Sequence, residues 1–273
     1  LYGSLLTEAV NRQHPKLIVV DIDGFINDED TEKLEANLRK WIDNMPWSRN
    51  RIETIRTCVP AELQSSFYFN IAKYHANWYQ VDSWLPVQRR LRAMDKTGYS
   101  LSKGVETVCK SLPADFVPDV RPLTLSGANA QYLRDFCAQA QSIGTDVLFL
   151  RTPHRTQTTD PNVFADVAAV VGEYGYELLD LHDAFDTIGL DRCADFIDSD
   201  HLNTIGMEKF TVWFGQYLAG RYDLTGAHSE AVTAEWERCA DFAAQTLPLC
   251  KELAAENTNQ NLNEFSAVFE AYR

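Results

Sequence analysis

Residues 17–22 read Leu-Ile-Val-Val-Asp-Ile just after Pro15, a continuous apolar run that predicts a strand buried on both faces. Asp146–Leu150 and Tyr176–Leu181 predict a second and a third strand. Between them, Val163, Phe164, Val167, Val170 and Val171 recur at helical spacing over about 162–172. Ahead of the second strand, Ser126 is placed to cap a helix whose apolar face is Leu133, Phe136, Cys137 and Ala140 and whose stop is Gly144. Beyond the third strand, Asn203 or Thr204 caps a further helix, with Met207, Phe210, Phe214 and Tyr217 inward and Gly220 as its end. Strands alternating with helices of this length predict an α/β protein with a mostly parallel sheet covered on both sides.

Residues 30–122 break that rhythm. Leu34, Leu38, Trp41, Ile42 and Met45 follow helical spacing, as do Phe67, Ile71, Tyr74 and Trp78, and no strand pattern stands out. The stretch reads as a large, aromatic-rich helical insertion resting over one end of the sheet. Residues 225–273 read as a helical C-terminal extension, with Val232, Trp236, Cys239 and Phe242 on one face. With no repeat and no low-complexity linker, the expectation is one domain over 1–273.

The net charge of −14 changes the range of partners. Neutralising phosphates needs clustered Lys and Arg, so no nucleic acid is expected, and anionic lipid would repel the chain. No run of about 18 apolar residues is present to span a membrane. The chain begins with Leu1 rather than Met, so a leader or anchor is expected upstream. Six cysteines lie scattered at 58, 109, 137, 193, 239 and 250 without a CxxC pair, which disfavours a zinc site. They read as buried thiols with one or two disulfides at most. Cys239 and Cys250 could pair only if the chain turned near Pro248, because eleven residues of straight helix would hold them ~16 Å apart.

Three polar clusters follow the carboxyl ends of the predicted strands, where open parallel sheets bind ligands. They are Asp21, Asp23, Asn27 and Asp28; Arg151, Thr152 and His154; and Asp198, Asp200 and His201. The last carries the sharpest chemistry. An acid three residues before a histidine can orient the ring and stabilise its charged form, as base catalysis needs.

The run Asp198-Ser199-Asp200-His201-Leu202-Asn203, with Gly206 beyond, resembles the final block of the SGNH (GDSL-like) hydrolases, whose DxxH element supplies the acid and base of a serine triad. Lys16 to Asp28, ending Asp-Gly-Phe-Ile-Asn-Asp, resembles the strand and GxND block that carries an oxyanion-hole asparagine, here Asn27, although Gly24 and Asn27 are one residue further apart than in that block. Phe67 to His75 and Phe149 to His154 resemble a bacterial cell-surface branch whose members accompany membrane O-acyltransferases acting on glycans. The resemblance implies a three-layer α/β/α fold of SGNH or flavodoxin-like type. It also implies acyl-ester hydrolysis or O-acyl transfer on a cell-surface glycan, with Asp198 as orienting acid, His201 as base, and Asn27, His154 and Arg151 on the oxyanion and substrate side. No metal or cofactor is implied, and the setting is extracytoplasmic.

The Gly-Asp-Ser block that opens this superfamily is missing. Gly3-Ser4-Leu5-Leu6-Thr7-Glu8 echoes it out of register, with no strand ahead, and Leu5, Leu6 and Val10 predict a helix there instead. The nucleophilic serine is therefore expected upstream of Leu1, unless the chain is an inactive relative that binds glycan or acts as a scaffold. Other readings of the same residues stay open. His201 could merely orient the following helix, or Asp198, Asp200 and His201 could hold a hard cation. Asp21 and Asp23, in Leu-Ile-Val-Val-Asp-Ile-Asp-Gly, are also close to the DxDG nucleophile motif of haloacid-dehalogenase-type phosphatases, with Phe25 where that family has threonine.

Overall fold

A computed structural model describes residues 1–26, 34–69, 108–226 and 228–255. In chain order its strands are β1 (Leu17–Asp21), β2 (Val120–Arg121), β3 (Asp146–Arg151), β4 (Gln157–Thr158) and β5 (Leu178–Asp180). Its helices are α1 (Tyr2–Gln13), α2 (Asp23–Ile26), α3 (Leu34–Ile42), α4 (Arg49–Cys58), α5 (Gln64–Tyr68), α6 (Gly127–Ile143), α7 (Val163–Gly172), α8 (Phe185–Ile188), α9 (Thr204–Arg221) and α10 (Glu230–Ala255). The fold is mixed α/β. The described residues divide into two compact units, one formed by 1–26, 34–69, 121–152 and 158–180, the other by 108–120, 153–157, 181–226 and 228–255.

The first unit holds a parallel sheet in the order β1-β3-β5, with Val20 opposite Phe149 and Phe149 opposite Leu178. Parallel neighbours need crossovers, and α6 and α7 occupy the chain adjoining β3 on either side. The ends of α6 follow from two residues. Ser126 accepts the amide of Asn129, and Gly144 turns into the left-handed region (φ 74°), where it donates to Ala140 and Gln141 carbonyls. Leu133, Phe136, Cys137 and Ala140 of α6 and five apolar residues of α7 join Val20, Val147 and Phe149 in one core, with Leu6 of α1 and Phe25 of α2. Phe136 meets Phe149 edge to face at 6.0 Å between centroids, the orientation that ring quadrupoles favour.

β3 is the buried centre of this sheet, since Val147 through Arg151 are all buried. β1 departs from the expected double burial: it is the edge of the described sheet, and Val19 is partly open. The chain from 34 to 69 is helical as expected, with a core of its own made by Leu38, Ile42, Met45, Ile55, Val59 and Phe67. Trp41, expected inward, points to solvent. The short strand β2 also lies in the stretch expected to lack strands. Ile71, Tyr74 and Trp78 fall outside the described residues.

In the second unit, α9 and α10 pack together, and Lys251 reaches Glu208 at 2.9 Å. Three expectations are corrected here. Met207, Phe210, Phe214 and Tyr217 are only half-buried, their aromatic rings stacked on one another. Gly220 does not end α9, which runs to Arg221 and stops where Tyr222 becomes extended. On α10, Cys239 and Phe242 are buried, but Val232 and Trp236 are 42% and 59% exposed. Pro248 sits inside α10 without ending it, so Cys239 and Cys250 stay on one helix, three turns apart and beyond disulfide reach. All six cysteines are free thiols.

Candidate functional site

The Asp-His element sits on a small antiparallel hairpin. Phe196 bridges Leu202, the Ile197 amide donates to the His201 carbonyl at 3.0 Å, and the Asn203 amide donates to the Asp195 carbonyl at 2.9 Å. The hairpin's base is buried. Phe196 is fully enclosed and packs on Phe185, with 5.8 Å between ring centroids. Asp195 is buried too, and its carboxylate accepts the Asp191 amide (2.7 Å) and the ammonium of Lys209 (2.6 Å). A buried carboxylate is tolerated only when charge and donors meet it, and both do.

Asn203 closes the hairpin and opens α9. Its side-chain oxygen accepts the Ile205 and Gly206 amides, both at 3.0 Å, leaving its amide group to donate to the carbonyls of Ala194 (2.6 Å) and Lys110 (3.2 Å). Of the two cap residues considered from sequence, Asn203 is the one that caps. Gly206 follows because there is no room for more: a Cβ there would run into the Asp195 carbonyl oxygen.

At the tip, Asp198 Oδ1 accepts the amides of Asp200 and His201, each at 2.8 Å. The same carboxylate lies 2.9 and 3.0 Å from Nδ1 of His201. Burial pushes the Asp198 carboxyl up, but the Asp200 amide, the His201 ring and the His201 amide together outweigh it and hold the group below the usual aspartate range. An ionised Asp198 makes Nδ1 the protonated nitrogen, so Nε2 of the neutral ring is an acceptor. The side chains of His201 and Asp198 are 67% and 51% exposed, which leaves the ring open to a proton donor from outside.

Other contacts fix the tip from behind. The Ser199 carbonyl accepts the amides of Arg155 (2.6 Å) and Thr156 (3.1 Å), Ser199 Oγ accepts the Asp119 amide (2.9 Å), and the Thr156 hydroxyl donates to Asp200. Ser199 and Thr156 are both buried. No local pattern flags Thr156, Ser199, Asp119 or Lys209, because each acts across a long sequence separation. Asp191 turns the chain leading into the hairpin, and the Ala194 and Cys193 amides hold its carboxyl below the usual range.

The remaining sequence candidates are distributed between the two units. His154, in the second, is buried with its ring 4.5 Å from that of His182. Arg151, in the first, pairs with Asp180 at 3.1 Å and lies over the ring of Phe164. Asn27 and Asp28 lie outside the described residues. Asp21 ends β1 and accepts the Asp23 amide at 2.9 Å and the Thr152 hydroxyl, while burial raises its carboxyl above the usual range. Ser4 lies within α1, its carbonyl accepting from Asn50. Among the described residues no serine hydroxyl is bonded to His201, and no group of three or more His, Cys, Asp or Glu is arranged to hold a metal ion. Among them, too, no helix is long and apolar enough to cross a membrane.

Comparison with family models, with characterised proteins and with solved structures returned no match.

Proposed function

We propose that the chain carries the acid–base half of an SGNH-type acyl-ester site in a three-layer α/β/α fold, with His201 as the general base and Asp198 as its orienting acid. The carrying observation is the contact of Asp198 with Nδ1 of His201, on a braced hairpin that leaves the ring exposed. A serine hydroxyl is a weak nucleophile near neutral pH until a base accepts its proton, and an imidazole fixed through Nδ1 presents Nε2 for that task. The nucleophile would come from a serine block not bonded to His201 among the described residues. Backbone amides would serve the oxyanion. The substrate class is an acyl ester on a cell-surface glycan, hydrolysed or passed to another acceptor, outside the cytoplasm and in company with a membrane O-acyltransferase. This part of the proposal rests on the resemblance of the Asp198–Asn203 and Phe67–His75 segments.

The absence of a described serine at His201 favours one second reading, a glycan-binding or scaffold protein that keeps the fold without turnover. The test is to offer the intact gene product an O-acetylated oligosaccharide and, separately, a phosphomonoester with magnesium. Release of acetate supports the proposal. Binding of the oligosaccharide without release, unchanged in His201→Ala, supports the scaffold. Magnesium-dependent phosphate release that is lost in Asp21→Asn contradicts both.

A further inference from the structure

Three of the six cysteines, Cys109, Cys239 and Cys250, share one small buried cluster with Phe242 and Ala254, against which Ile205, Leu249 and Leu253 pack. Within it Cys109 and Cys250 are neighbours whose thiols act on each other electrostatically, with the Thr204 side chain close to Cys250 as well. The backbone around Cys109 is clamped on both sides. Val108 and Thr204 exchange three bonds: Val108 N to Thr204 Oγ1 (2.9 Å), Thr204 N to the Val108 carbonyl (2.9 Å) and Thr204 Oγ1 to the same carbonyl (3.0 Å). On the other side, the Lys110 carbonyl takes the Asn203 side-chain amide and the Leu112 amide donates to the Cys193 carbonyl at 3.0 Å. Cys250 is set on α10, one side of its turn held by Lys251 and Glu208.

We propose that Cys109 and Cys250 form a disulfide that staples α10 to the 108–112 segment, which is bonded to Asn203 and Thr204 at the end of the Asp198–His201 hairpin. The two thiols share one small buried cluster, and the backbone beside Cys109 is held by bonds from Asn203 and Thr204, so the pair is kept together as neighbours. Cys239 is the nearest competitor, but it shares a continuous helix with Cys250 and is three turns away. The bond forms by exchange with a small-molecule disulfide such as oxidised glutathione. One protein thiolate attacks a donor sulfur and releases a thiolate; the second attacks the resulting mixed disulfide and releases the other. Two protein thiols and one donor disulfide thus give one protein disulfide and two donor thiols, with the protons passing to the released thiolates. Burial raises the Cys109 thiol and pushes that of Cys250 up to about 12, so thiolate is scarce once α10 is docked. Closure therefore belongs to folding, before the cluster is covered.

The chain unfolded in guanidinium and refolded in a mixture of oxidised and reduced glutathione, then alkylated and digested without reduction, should yield a peptide joining Cys109 to Cys250. Cys58, Cys137, Cys193 and Cys239 should be alkylated. The oxidised product should melt roughly 10 °C above the reduced one, a gain lost in Cys109→Ser and in Cys250→Ser and kept in Cys239→Ser. Alkylation of all six thiols, or linkage of Cys109 or Cys250 mainly to another cysteine, would overturn the proposal, and either result is read on the unmutated chain.

Discussion

Asp198 holds His201 twice, through the His201 amide at 2.8 Å and through ring Nδ1 at 2.9 Å. One carboxylate thus fixes both where the residue sits on the hairpin and how its ring is turned. The consequence is a defined tautomer. Nitrogen NMR of the neutral imidazole should show Nδ1–H for His201, shifting toward the Nε2–H form in Asp198→Ala, where the acceptor is gone. A ring already in the Nε2–H form in the unmutated protein would contradict the orientation.

Asn203 satisfies two helix amides and two loop carbonyls from a fully buried position. Asn203→Ala leaves these groups unpaired and should destabilise the fold by about 2–3 kcal/mol in urea denaturation. Asn203→Asp keeps the cap acceptor but cannot donate to Ala194 and Lys110. Its folding loss should persist even though the helix start is preserved.

The hairpin's base depends on Lys209. Replacing it with Met removes the cation from a buried Asp195 and leaves the Asp191 amide. A loss of about 1–3 kcal/mol is expected, with Asp195→Asn/Lys209→Met recovering part of it. Equal stability of Lys209→Met and the unmutated protein would mean that the pair carries no weight.

Acid should loosen the hairpin before the rest of its unit. Asp191 and Asp198 are both held below the usual carboxylate range when folded. A carboxyl lowered by folding adds stability above its unfolded value and loses it as pH falls through the folded value, here below roughly pH 4. The Asp198 share is small because the pair is exposed, at most about 0.5 kcal/mol. Protection factors at the Ile197 and His201 amides, corrected for the intrinsic rate at each pH, should fall in that window more than at Phe242, in the core of the same unit.

Much of the sheet and two whole helices were legible in the sequence because their signals are local. The Val-rich run of 163–171, the Ser126 cap and the Gly144 stop each act within a turn or two of themselves. Asp198 and His201 were legible for the same reason, three residues apart in one loop. What was not legible depends on partners far away in the chain. Trp236 and Val232 fit an apolar helical stripe, yet only Cys239 and Phe242 from that stripe meet a core. Arg151 reads as a polar residue at a strand end, but Asp180 and Phe164 occupy it. Thr156 and Ser199 brace the tip across more than forty residues, a pairing that no spacing rule announces.

The base assignment is tested most directly by acetyl-ester turnover of the intact gene product carrying His201→Ala, Asp198→Ala, or both. If Asp198 acts only through the ring, His201→Ala should lower the rate by about a thousandfold, Asp198→Ala by less, and the double variant should be no slower than His201→Ala alone. A His201→Ala protein that retains the unmutated rate, or losses that multiply in the double variant, would contradict the account.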